Sequence, residues 1–148
     1  MQYSPILAPV VALVAWSLLI MLWMAATRLP AMKRAGISLD GLVGGRGVNL
    51  DGVIPDEVQW KSHNYSHLVE QPTLFYAIAI TLALMGMGEG FNYWLAWAYV
   101  GFRVLHSLVQ ATVNIVKYRL TLFLLGSLCL IALTTHAALR IAHDCGLI

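Results

Sequence analysis

The residues able to do chemistry in this chain fall in two short stretches. In one, Arg103, His106, Gln110, Asn114 and Lys117 recur at intervals of three and four. On a helix advancing 100° per residue they stand at about 0°, 300°, 340°, 20° and 320°, a single stripe about 80° wide. In the other, His63, His67 and Glu70 lie at i, i+4 and i+7 and share a face, with Asn64 beside them. Cations, imidazoles, amides and a carboxylate so aligned suit a polar or anionic ligand, with Arg103 and Lys117 as its positive partners. The same groups admit plainer readings. Glu70 and Arg103 can pair between helices, and amides and imidazoles can serve as interhelical hydrogen-bond glue. A sharper rival is a metal site at His63, His67 and Glu70 with His106 as a fourth ligand, because imidazole and carboxylate suit zinc or iron. The paired Glu-x-x-His repeats of metal-binding helical bundles do not occur.

The surroundings of these stretches are those of a membrane protein. Of 148 residues, 59% are hydrophobic and only 11% charged, against about 25% charged in soluble domains. So few charges could not cover a water-exposed surface of this size. Pro5 to Thr27 carries no charge and exceeds the roughly 20 apolar residues that span a bilayer. Three further apolar runs follow, and all four are continuous instead of alternating with period two, which selects helices over a barrel. The sequence predicts an all-α, four-transmembrane-helix bundle in one domain, with helices at about 5–28, 63–87, 91–117 and 119–141. The glycine-rich, charged segment 29–62 reads as a loop with little regular structure, and Gly88-Glu89-Gly90 as a tight turn. Pro72 removes a backbone donor from the second helix and frees a carbonyl near residue 68, which needs a partner.

Arg28, Lys33, Arg34, Arg46, Lys61, Lys117 and Arg119, seven of the nine Lys and Arg residues, fall in the first and third loops. The positive-inside rule therefore places those loops in the cytoplasm and both termini on the opposite side. The net charge of +2 and the absence of a basic stripe with interleaved aromatics argue against nucleic acid as a partner. Neither a phosphate-binding glycine loop after a strand nor a nucleophile elbow is present. Cys129 and Cys145 are too far apart along one helix to bridge.

Two segments resemble a known family. His63 to Ala77 (HNYSHLVEQPTLFYA) is similar to the second helix of the MAPEG family, the membrane-associated proteins in eicosanoid and glutathione metabolism, in their bacterial branch. Ala96 to Ser107 (AWAYVGFRVLHS), continuing through Thr112, Asn114 and Arg119, is similar to the family's third helix and its exit. The resemblance implies a homotrimer in a bacterial inner membrane, with periplasmic termini and active sites between subunits, open to the cytoplasm. It implies glutathione as cosubstrate and a lipophilic small molecule arriving through the membrane lipid. The reaction would be thiolate addition to an electrophile or reduction of a lipid hydroperoxide.

Residue by residue, Glu70 matches the carboxylate that holds the glutathione amino group. His67 stands where glutathione-using members have Asn, and His63 where they have Arg. His106 and Gln110 occupy positions that are often Tyr, and Lys117 or Arg119 falls near a glutathione-binding Arg. Arg28, or Arg34 in its place, matches the Arg that activates the thiol, since a guanidinium lowers a thiol pKa. The alternative for the whole chain is a non-catalytic membrane protein whose polar stripe binds a lipid or small polar ligand.

Overall fold

In the computed structural model, which describes residues 3–41 and 43–147, four long helices form an all-α bundle. They are α1 (Leu7–Arg34), α2 (Asp56–Leu84), α3 (Gly90–Ala111) and α4 (Val116–Asp144), with a short 3₁₀ turn at Gly47–Leu50 between the first two. α1 packs chiefly on α2, and α3 on α4, while α2 also touches both α3 and α4. α1, α2 and α4 are each long and apolar enough to cross a membrane. α3 has 22 residues, about 33 Å at 1.5 Å per residue, which spans a core of about 30 Å. Its Asn92, Arg103, His106 and Gln110 lower its mean hydropathy, and all four are buried against neighbouring helices.

The core runs along the bundle axis. Ile6, Leu13 and Ile20, seven residues apart, put one seam of α1 against the interior, opposite Leu68, Phe75 and Leu82 of α2. Phe75 stacks on Tyr99 of α3 with ring centroids 4.4 Å apart. Gly126, Leu130, Leu133 and Ala137 supply the seam of α4. Lipid is as apolar as these side chains, so helix association rests on close packing and interhelical hydrogen bonds rather than on burial from water. Cys129 and Cys145 are free thiols.

Helix ends depart from the sequence expectation by six or seven residues at three places, and by three or fewer elsewhere. α1 continues through Pro30 to Arg34, since a proline removes one helical hydrogen bond without having to end the helix. α2 begins at Asp56, seven residues before the expected start, so the end of the segment read as loop is helical. Pro55 with Asp56 and Glu57 in the first turn is a helix-start signature, since acidic side chains favour the positive end of the helix dipole. α3 stops at Ala111 and not at 117. There the Thr112 hydroxyl donates to the Leu108 carbonyl at 2.6 Å. Asn114 takes a left-handed backbone, φ +52°, which asparagine tolerates better than most residues. Its N–H closes on the Val109 carbonyl at 2.7 Å.

At the opposite end of the bundle, the Ile6 N–H donates to the Gly88 carbonyl at 3.1 Å, tying the start of α1 to the α2–α3 turn. A Cβ at Gly88 would lie 1.9 Å from Ser4 Oγ and 2.7 Å from Ile6 Cγ2. The hydroxyl can rotate away, but Ile6 is fully buried and cannot. Gly88→Ala is therefore expected to cost about 1–3 kcal/mol of overpacking and to lower the thermal midpoint of the detergent-purified protein. An unchanged or raised midpoint would contradict this packing.

Candidate functional site

Because α3 ends at Ala111, the five-residue stripe shortens to three. Arg103, His106 and Gln110 share the buried face of α3, whereas Asn114 lies in the α3–α4 connection and Lys117 opens α4 as an exposed side chain. Ser107 belongs to the same buried face. The sequence reading passed over it, although its spacing from Arg103 and Gln110 places it there.

Arg103 is the centre of the polar layer. It is 1% exposed and donates from Nη1 to Gln71 Oε1 at 3.2 Å and from Nη2 to the His67 carbonyl at 2.6 Å. The His67 carbonyl is next to the one that Pro72 frees on Leu68, so the guanidinium docks at the proline-perturbed turn of α2. Gln71 passes the interaction on, its Nε2 donating to Ser127 Oγ at 2.8 Å, and Ser127 in turn donates to the Phe123 carbonyl at 2.8 Å. One chain of donors thus links α3, α2 and α4, and such chains strengthen each member. One turn toward the loop end, Asn64 Nδ2 donates to Ser107 Oγ at 2.7 Å, both side chains being fully buried.

Glu70 does not join this layer. It is the middle residue of α2, and its side chain is 67% exposed on the outer face of the protomer. Its one close basic neighbour among the described residues is His67, with Nδ1 3.7 Å from Glu70 Oε2. The pairing of Glu70 with Arg103 is therefore not made within the protomer. The carboxylate follows the His67 face of α2, while Arg103 meets Gln71 on the adjoining face.

His106 is held at the α3–α4 boundary. Its Nδ1 lies 2.9 Å from the Arg119 carbonyl and its Nε2 3.1 Å from Gln110 Oε1. Both partners are oxygen acceptors, so whichever ring nitrogen carries a proton donates, and a neutral ring donates to one of them. The His67 and His106 rings face each other edge to face, centroids 6.0 Å apart. Between them and α4 opens a cavity of about 230 Å³ lined by His67, His106, Val116, Arg119, Leu120 and Phe123. Its surface is mainly apolar, with His67, His106 and Arg119 among the residues that line it. Arg119 Nη1 donates to Asn114 Oδ1 at 2.6 Å, and its Nε is buried without a partner. Arg119, and not Lys117, is the cation at this cavity.

His63 and Arg28 sit elsewhere in the protomer. His63 Nε2 lies 3.4 Å from Asp51 Oδ1. Arg28 donates from Nη1 to Ser62 Oγ at 3.0 Å and from Nη2 to the Gly47 carbonyl at 3.2 Å. Gln59 also donates to Gly47 and to Asp51. These contacts clasp the loop onto α1 and α2, and the sequence reading missed Gln59 and Asp51 because it took their surroundings as unstructured. The metal reading does not survive the geometry. His63 turns to Asp51 and His67 to Glu70, and no three His, Cys, Asp or Glu side chains among the described residues converge to hold a metal ion.

The family model of the MAPEG family matches residues 6–139. The chain belongs to the MAPEG family. The match takes in all of the polar layer, the His67–His106 cavity and the loop clasp, and it makes the chain an integral membrane protein. No curated protein and no solved structure matches it.

The layer around Arg103 yields a direct test of its structural role. Arg103→Lys keeps the charge but cannot span two acceptors on α2, and hydrogen bonds to a charged group contribute about 1.5–3 kcal/mol. The variant is expected to lose stability on that scale in denaturant unfolding from detergent. Wild-type stability would show that the guanidinium fork is not what holds α3 to α2.

Proposed function

We propose that this MAPEG protein is a glutathione-dependent membrane enzyme acting on lipophilic electrophiles or hydroperoxides, and that it works as a homotrimer with its sites between subunits. The observation that carries this reading is Glu70. A carboxylate 67% exposed on a membrane-crossing helix, within the first turn of its apolar run, is costly without a partner. It needs an ammonium ligand, a neighbouring subunit, or both. The amino group of glutathione supplies the first and a trimer the second.

The cavity beside it suits the rest of such a substrate. Arg119 is its fixed cation, with His67 and His106 alongside, so a carboxylate or a thiolate has a positive partner there. Val116, Leu120 and Phe123 offer an apolar wall to a lipophilic co-substrate entering from lipid. In addition chemistry the glutathione sulfur forms a bond to the electrophilic carbon, and its proton ends on the product or on water. In peroxide reduction one thiolate takes an oxygen from the hydroperoxide, leaving an alcohol, and a second glutathione converts the sulfenic acid to disulfide and water. Within one chain Arg28 lines a different cavity, and the cation proposed for the thiol at the His67–His106 cavity is Arg119. On this reading the loop side of the bundle is cytoplasmic and both termini are periplasmic in a bacterial inner membrane.

A second reading is favoured by one specific contact set. Both ring nitrogens of His106 are already engaged, with Arg119 and Gln110, as expected if the polar layer fixes the bundle and the cavity holds a lipid head group without chemistry. The two readings separate on ligand binding. Glutathione is expected to raise the thermal midpoint of the purified protein, and Glu70→Gln and Arg119→Met each to weaken its apparent affinity by about tenfold, equivalent to 1.4 kcal/mol. No stabilisation by glutathione, with co-purifying lipid in native mass spectrometry, would select the second reading.

A further inference from the structure

We propose that the cavity beneath the loop after α1 binds an anionic phospholipid of the leaflet on that side, its phosphate between Arg46 and Arg28 and an acyl chain against Met32, Ile37, Leu39 and Leu50. The site is separate from the His67–His106 cavity and stands whether or not glutathione is a substrate. The cavity has a volume of about 520 Å³ and is closed by the last turns of α1, the Gly44–Gly47 backbone and the 3₁₀ turn.

Its charge is uncompensated. Arg28 is held by two neutral acceptors, the Gly47 carbonyl and the Ser62 hydroxyl. Arg46 is exposed, and neither arginine has a carboxylate within 4.0 Å among the described residues. The clasp on Gly47 fixes the position of the loop. A Cβ at Gly47 would come 3.1 Å from Arg28 Nη2, so the backbone there lies directly on the guanidinium. Arg46 is next in sequence and is held at the cavity by that anchor.

The walls point to a lipid and not to a soluble anion. Met32 is buried and packs with Ile37 and Leu50 in a small cluster separate from the main core. Leu39, beyond the end of α1, leaves 60% of its surface bare, and Val43 and Val48 beside it leave 97% and 62%. A glycine-rich loop that presents aliphatic side chains next to two arginines suits the head-group boundary, where apolar groups meet acyl chains and basic groups meet phosphates.

Amide hydrogen exchange of the full chain in nanodiscs tests the assignment. Adding phosphatidylglycerol to phosphatidylcholine nanodiscs is expected to slow exchange across residues 36–50 severalfold. Arg46→Glu and Leu39→Asn should each remove most of that protection, and Lys33→Glu, which changes a nearby cation outside the cavity, should leave it intact. Equal protection in pure phosphatidylcholine would overturn the proposal. An equal loss in Lys33→Glu would reduce it to general surface attraction and overturn the site. Protection by inorganic phosphate alone in phosphatidylcholine nanodiscs would assign the arginines to a soluble anion and overturn the lipid.

Discussion

A guanidinium buried inside a membrane bundle must be solvated by the protein itself, and most of what is specific in this structure follows from how that is done for Arg103. It is 1% exposed, and no carboxylate among the described residues pairs with it. The helix that carries Pro72 supplies the substitute, the His67 carbonyl and the Gln71 amide oxygen. Satisfying Arg103 fixes the register of α3 on α2, and through Gln71 and Ser127 that of α4 as well. Without such a lock, apolar helices in lipid would slide at little cost, because burial gives them almost no preference for one another.

The same solution is incomplete: the Arg103 Nε is itself buried without a partner, and Glu70 and Arg119 are also left only partly paired. Since Arg103 takes Gln71 and the His67 backbone, Glu70 is turned outward without a strong partner. Since the Arg119 carbonyl is tied to His106 and its Nη1 to Asn114, the Arg119 side chain is fixed beside the cavity with its Nε buried and unpartnered. On the function proposed above, the Glu70 carboxylate would take the amino group of glutathione and the Arg119 guanidinium its thiolate.

Much of the fold was legible in the sequence because membrane helices announce themselves by continuous hydrophobicity. The four-helix reading needed only the apolar runs and the Gly-Glu-Gly turn. The buried face of α3 was legible too, since Arg103, His106 and Gln110 repeat with helical period. What escaped was the exit of α3. Asn114 and Lys117 keep the period, but Thr112 caps the helix and Asn114 adopts a left-handed backbone, so periodicity outlasted the helix by one turn. The start of α2 escaped for the opposite reason, because polar first-turn residues such as Asp56 and Gln59 carry no apolar signal. Partner choice was the hardest to foresee. Glu70 and Arg103 attract by charge, yet helix geometry gives the guanidinium a carbonyl and an amide and leaves the carboxylate outside.

The account turns on whether the cavity closed by Arg119 receives a thiol as an anion. Ultraviolet difference absorbance on mixing glutathione with the reconstituted protein at neutral pH reads this directly. A thiolate band that saturates with glutathione and disappears in Arg119→Met is the predicted result. No thiolate at saturating glutathione, or the same band in Arg119→Met, would contradict it.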